Sequence, residues 1–119
     1  MLIAIRIIIA LLAVIHLYIM FFEMFAWETR GVKVFKSFPS DLFASTKALA
    51  ANMGIYNGFL AAGLIWTFFI DDVIWQTNIS VFFLLCVVIA GVVGALTAEK
   101  KIFFVQACPA LIALILIFI

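Results

Sequence analysis

The apolar run from Leu2 to Trp27, LIAIRIIIALLAVIHLYIMFFEMFAW, constrains the fold more than any other feature of the chain. As a helix it would be about 39 Å long at ~1.5 Å per residue, and a bilayer core requires only ~20 apolar residues. It is longer than the apolar region of a signal peptide and ends in bulky residues, so we expect a retained helix. His16 and Glu23 lie within it, seven residues apart and on one helical face. Because polar side chains are costly in lipid, this face should point into protein or into a cavity.

The composition of the whole chain requires a lipid environment. Of the 119 residues, 70% are hydrophobic and 11% are charged, whereas soluble domains are ~45–50% apolar and ~25% charged. A soluble protein of this size could not bury so much apolar surface, so the lipid bilayer is the expected partner. No basic patch is large enough to neutralise several phosphates, which argues against nucleic-acid binding.

The hydrophobic pattern predicts an all-α membrane protein with a single domain, residues 1–119, built as a bundle of four transmembrane helices. The predicted helices cover about residues 2–27, 49–70, 78–98 and 102–119. The first loop contains Gly31 and Pro39 among apolar and basic residues, which favours a short interfacial segment on the membrane surface. Gly54 and Gly58 form GxxxG, and the third helix is also rich in small residues. Such surfaces let helices approach closely in lipid, so they are candidate surfaces for a homodimer.

The distribution of basic residues predicts the orientation of these helices. Six of the seven Lys and Arg residues lie in the loops at residues 28–48 and 99–101. The positive-inside rule places both loops in the cytoplasm. With four spans, both termini and the Asp71–Asp72 turn then face outward.

Polar residues recur at similar depths in the cytoplasmic halves of the predicted helices, whereas the outer halves are almost entirely apolar. This asymmetry predicts a polar pocket that opens toward the cytoplasm or the inner leaflet of the membrane and is covered by the first loop. The candidate ligand- or proton-binding residues are Glu23, His16, Tyr56, Asn52, Asn57, Gln106 and Trp27.

Two kinds of chemistry suit this set of residues. Glu23 and His16 are about 10 Å apart along one helix axis, so a proton relay between them would need a bridge from Tyr56 or Asn57. Glu23 could equally bind a cationic ligand, assisted by Trp27 or Tyr18.

Structural interpretations of the same residues remain open. Glu23 could simply connect helices by hydrogen bonding to Asn52 and Gln106, and His16 could be a satisfied core histidine. Cys86 and Cys108 are best explained as small buried hydrophobic residues. No ligand spacing for a metal, no catalytic triad and no phosphate loop occurs, so we predict no metal site, no cofactor and no catalytic residue.

Three segments together resemble a known family: HLYIMFFEMFAWET at 16–29, NMGIYNGFLAAGL at 52–64 and VQACPALIAL at 105–114. They are similar to small bacterial four-helix membrane proteins, the domain of unknown function thirteen hundred and four. The resemblance covers nearly the whole chain. It implies a multi-pass protein of a bacterial inner membrane but implies no activity. The family's motif residues, as they stand here, are His16, Glu23, Trp27, Glu28, Asn52, Tyr56, Asn57, Gln106 and Pro109.

Three functional hypotheses follow. The leading one is a small transporter or small-molecule-binding protein in which Glu23 is the binding or proton-coupling group. The alternative is an intramembrane enzyme for a lipid or quinone-like substrate, with Glu23 and His16 as acid and base; we lean against enzymatic activity without excluding it. The third is a non-catalytic assembly or partner subunit, which predicts a collapsed interior whose polar residues bond to one another. A cavity beside Glu23 would therefore argue against the third hypothesis.

Overall fold

The computed structural model describes all 119 residues and is all-helical. The longer α-helices are α1 (Ile3–Phe25), α2 (Lys47–Trp66), α3 (Val73–Thr97) and α4 (Cys108–Phe118). The shorter helical segments are a π turn at Trp27–Gly31, an α turn at Val32–Val34, 3-10 turns at Ser40–Leu42 and Thr67–Phe69, and a π turn at Phe103–Ala107.

The ends of two helices differ from those expected from the sequence. Helix α3 begins at Val73, five residues before the predicted start, because the carboxylate of Asp72 caps it by accepting a 2.9 Å hydrogen bond from the Trp75 amide. Before α4 the chain forms a wider π turn that leads into Pro109. Proline has no N–H to donate to the carbonyl four residues earlier, so the regular α-helical pattern is interrupted there.

Three helical stretches are long and apolar enough to cross a membrane: Ile3–Phe25, Lys47–Phe69 and Val73–Thr97. The fourth apolar stretch, Phe103–Phe118, is shorter. The length and composition of three helices therefore support membrane association. The fourth span that the sequence predicts is too short to be counted with these three.

Glycines allow the helices to pack as two pairs, α1 with α2 and α3 with α4. A Cβ atom added at Gly54 of α2 would lie 2.6 Å from Cγ of Met24 on α1. One added at Gly91 of α3 would lie 2.6 Å from the backbone nitrogen of Ala107. These glycine faces, which the sequence offered as dimer surfaces, therefore pack within the chain itself.

The two pairs meet in the half of the molecule that contains the chain termini, which we call the closed half. All four helices contribute to its core, and Gly63 of α2 directly contacts the ring of Phe83 on α3. The buried residues of this core are Ile5, Ile9, Leu12, Ala13, Leu64, Leu84, Val87, Ala110, Ala113 and Leu114. In the opposite half, next to residues 26–46 and 98–102, the pairs diverge; we call this the loop half.

Candidate ligand-binding cavity

The divergence of the two helix pairs leaves a cavity of about 1120 Å³ in the loop half. All four helical stretches and the first loop line it, and 17 of its 26 lining residues are hydrophobic. A molecule that fits this space must therefore be largely apolar. The charged lining residues are Glu23 on the α1 side and Lys101 beneath the loop.

Glu23 places a carboxylate on the wall formed by α1 and α2. The residue is only 5% exposed, and its Oε1 accepts a 2.7 Å hydrogen bond from Nδ2 of Asn57. The same Asn57 nitrogen also donates to the Met53 carbonyl at 3.1 Å. The other carboxylate oxygen, Oε2, accepts no hydrogen bond from the protein, and it is not sealed away from the cavity.

Gln106 faces the cavity from the other helix pair. It is 9% exposed, and its side-chain amide forms no hydrogen bond within the protein. Like Glu23 Oε2, the amide is not sealed away from the cavity. Glu23 Oε2 and the Gln106 amide thus give a mostly apolar cavity two polar groups with free hydrogen-bonding capacity.

An aromatic cluster covers the end of the cavity, and we call it the aromatic cap: Trp27, Phe35, Phe38 and Phe43. The ring centroids of Trp27 and Phe43, and those of Phe38 and Phe43, are 4.9 Å apart. Trp27 Nε1 donates a 3.0 Å hydrogen bond to Thr46 Oγ1 just before α2. The first loop is therefore folded over the cavity, as the sequence predicted, because its apolar side chains pack on one another.

Two contacts hold the loop that carries this cap against the turn between α3 and α4. The amide and hydroxyl of Ser37 donate to Oε1 of Glu99 at 3.1 and 2.9 Å, and Nζ of Lys101 donates to the carbonyl of Val34. The hydrogen bonds from the backbone and side chain of Ser37 hold the pKa of Glu99 below its usual value. Sequence reasoning missed Ser37 and Glu99 because 62 residues separate them and neither belongs to a recognisable motif.

Five of the residues predicted from the sequence line this cavity: Glu23, Asn57, Gln106, Trp27 and Tyr56. Tyr56 lies at its edge and is 59% exposed. The structural interpretation had Glu23 bonded to Asn52 and Gln106, whereas in the structure it accepts a hydrogen bond from Asn57.

Asn52 and His16 do not line the cavity. Asn52 is exposed; it is five residues from Asn57, which turns it roughly 140° away around the helix at ~100° per residue. His16 is fully buried near the closed half, where its Nδ1 lies 2.8 Å from the Leu12 carbonyl and its Nε2 has no partner. The structure therefore does not bring His16 and Glu23 to one substrate position.

The aromatic rings expected to bind a cation beside Glu23 already have partners. The guanidinium of Arg30 lies 5.8 Å from the centre of the Tyr18 ring, and its Nε donates a 2.6 Å hydrogen bond to the Tyr18 hydroxyl. Trp27 is packed against the three phenyl rings of the aromatic cap. Polar groups, rather than ring faces, are thus available to a ligand headgroup.

Comparisons with known proteins identify relatives but no activity. A family model described as a protein of unknown function (DUF1304) matches residues 10–118. The uncharacterized protein YpaA of Lactococcus lactis subsp. lactis (strain IL1403) is 35% identical over 107 residues, which is 88% of each chain. No solved structure matches the chain.

The matching family model has the same number as the family that the three sequence segments resemble, but it supports less than that resemblance implied. The match begins at residue 10, so the first nine residues lie outside it. Its description gives only an unknown function, and it supplies neither the four helices nor the bacterial source that the resemblance implied.

Proposed function

The chain belongs to the DUF1304 family, whose function is unknown. From the cavity, we propose that this protein is a multi-pass membrane protein that binds a small amphipathic molecule between its two helix pairs. Glu23 and Gln106 hold the polar end of that molecule, assisted by the Asn57 amide that positions Glu23. Transport of the bound molecule is the natural use of such a site in a membrane.

The membrane arrangement that we propose has four spans in a bacterial inner membrane. The stretch Phe103–Phe118 is about 24 Å long at ~1.5 Å per residue, and it crosses as the partner of α3. Hydrogen bonds from Ser37 to Glu99 require the first loop and the α3–α4 turn to lie on one side. Six of the seven basic residues lie there, so this side is cytoplasmic and both termini are outside.

The observation that carries the proposal is the pair of unpartnered polar groups, Glu23 Oε2 and the Gln106 amide, in a cavity with mostly apolar walls. A purely structural role for Glu23 accounts for its bond to Asn57 but leaves its second oxygen without a partner. The cavity volume of about 1120 Å³ slightly exceeds the ~300–1,000 Å³ typical of small-molecule sites. Polar anchors in an apolar space are the arrangement that binds an amphipathic molecule.

The alternative hypotheses have less support. An enzyme with Glu23 and His16 as acid and base needs both groups at one substrate position, and His16 lies outside the cavity. An assembly subunit with a collapsed interior is difficult to reconcile with an open cavity in which Glu23 Oε2 and the Gln106 amide do not bond to each other. No observation favours a homodimer, since the glycine faces proposed for it pack within the chain.

Native mass spectrometry of the protein extracted gently from its own membrane tests this proposal. We expect the wild type to carry a co-purifying small molecule and Glu23→Gln to lose it by about tenfold or more, the equivalent of ~1.4 kcal/mol in affinity. The substitution keeps an oxygen that accepts the hydrogen bond from Asn57, so the fold should be retained. Glu28→Gln is the matched control, because Glu28 forms only a surface ion pair with Lys47 at 3.5 Å. An empty wild type, or equal occupancy in Glu23→Gln, would contradict the proposal.

A further inference from the structure

We propose that the ligand is a single-chain cationic amphiphile, a lipophilic amine, that enters the cavity sideways from the lipid rather than from the water beyond the first loop. This inference rests on the proposed function and specifies its ligand class and its route of entry.

The walls of the cavity reach the outer surface of the bundle. Tyr56 of α2 and Val93 of α3 both line the cavity, and they are 59% and 52% exposed. On the other side, Tyr18 of α1 and Val105 before α4 are also lining residues with exposed side chains. A sealed cavity would have buried walls, so these side chains mark gaps between the two helix pairs. The gaps lie at the depth of the apolar helices, where the surroundings are lipid.

The end of the cavity that faces water is covered. The aromatic cap lies over it, and Ser37 and Val34 connect the loop to Glu99 and Lys101. Entry from water would require breaking these contacts and separating packed aromatic rings. Entry between the helix pairs requires neither, so the lateral route is the open one.

The charges and hydrogen-bonding groups of the wall define the headgroup. Glu23 is the charged group of the wall away from the loop, and its free oxygen is an acceptor. The carbonyl of the Gln106 amide is a second acceptor without a partner. A primary ammonium group supplies three donors and a positive charge, which suits both acceptors and pairs with the carboxylate. An anionic headgroup would instead place like charges together, which opposes binding.

The apolar part of the cavity wall indicates the kind of tail that the ligand carries. The hydrophobic lining residues outnumber the others 17 to 9 in a total of 26. They come from both helix pairs and would surround a single alkyl chain. A short, water-soluble amine would satisfy the carboxylate but leave this apolar wall in contact with water.

Fluorescence quenching of Trp27 tests the ligand class, in protein held in nanodiscs of zwitterionic lipid. The background Trp66→Phe with Trp75→Phe leaves Trp27, which lines the cavity, as the one tryptophan. We expect saturable quenching by dodecylamine brominated on its chain, and about tenfold weaker quenching by the matched brominated dodecanol, the equivalent of ~1.4 kcal/mol. Glu23→Gln should weaken binding of brominated dodecylamine by a similar factor, and Glu28→Gln should leave it unchanged. Ethylamine should not compete with brominated dodecylamine for the cavity.

The outcomes separate this inference from the proposed function. If native mass spectrometry finds a neutral or anionic molecule that depends on Glu23, and dodecylamine does not bind, the cavity is a binding site and the cationic class is wrong. If dodecanol binds as well as the amine, or if the amine binds equally to Glu23→Gln, the role of charge is overturned. If the extracted protein is empty and no probe binds, both proposals fail.

A cross-link across the loop tests the route of entry. In a Cys86→Ala and Cys108→Ala background, Ser37→Cys and Glu99→Cys are joined by a short thiol-reactive linker, which fastens the first loop to the α3–α4 turn. Lateral entry predicts that the rate of quenching by brominated dodecylamine is the same before and after cross-linking. A rate that falls about tenfold or more on cross-linking, and recovers when a cleavable linker is cut, would show that the ligand enters past the loop and would overturn the lateral route.

Discussion

The contact between Glu23 and Asn57 occupies one oxygen of the carboxylate and leaves the other without a partner. The amide nitrogen of Asn57 donates to one carboxylate oxygen and to the Met53 carbonyl, and these two bonds hold the side chain in place. The carboxylate is thereby oriented while its other oxygen stays free. A single asparagine thus holds Glu23 in place without neutralising it.

The depth of a residue in the bundle was predictable from the sequence. The direction in which its side chain points around the helix was not. Counting residues from the predicted helix ends placed Glu23, Asn57 and Gln106 in one half of the bundle, and all three line the cavity. Asn52 was placed by the same count, yet it faces outward. Depth follows from the number of residues, whereas direction depends on which face the neighbouring helix covers, and that is a tertiary property.

Gly91 is expected to be the most sensitive of the glycines between paired helices. Its Cβ would lie 2.6 Å from the nitrogen and 2.8 Å from the Cβ of Ala107, and a backbone cannot move aside cheaply. Gly91→Ala should therefore destabilise the protein by about 1–3 kcal/mol in thermal unfolding in detergent. Gly58→Ala is the matched control, since its new methyl would meet only the flexible end of Met20. Equal effects of the two substitutions would show that α3 and α4 are not packed as described.

The first loop was predicted both to lie on the membrane surface and to cover the pocket. Its aromatic residues fold into the aromatic cap, so the loop covers the cavity. Amphipathic composition is equally compatible with lipid and with a protein surface as the partner. The position of the loop depends on the hydrogen bonds from Ser37 to Glu99 of the α3–α4 turn. These two residues are 62 positions apart in the sequence, so the contact could not be predicted from local composition.

The contact between Ser37 and Glu99 should be detectable as a lowered pKa. Two hydrogen bonds from Ser37 favour the charged carboxylate, so the pKa of Glu99 lies below its usual value of ~4.3. Its stabilising contribution is therefore fully present above the usual pKa and is lost as pH falls through the lowered one. Carboxyl-detected NMR titration should show a partial rise in the pKa of Glu99 in Ser37→Ala, since the backbone bond remains, and none in Ser40→Ala. An unshifted Glu99 in the wild type would show that the loop is not held against the turn.

At the scale of the whole molecule, the fold is two glycine-packed helix pairs that join in the closed half and diverge in the loop half. The sequence indicated helices and surfaces suited to close packing, because both depend on local composition. It could not show that those surfaces are used within the chain, nor that the pairs separate on the polar side. The separation depends on the direction in which each pair leaves the shared core around Leu12, Leu64 and Leu84.

A crystal structure grown from a lipidic mesophase would test most directly whether that separation is a binding cavity. We expect an elongated molecule between the helix pairs, with its polar end within hydrogen-bonding distance of Glu23 and Gln106, and the Asn57 bond to Glu23 intact. This expectation would be contradicted by a closed interior in which the two pairs touch along the loop half and the Gln106 amide bonds directly to Glu23. In that case the polar residues would connect helices, and no ligand would be required.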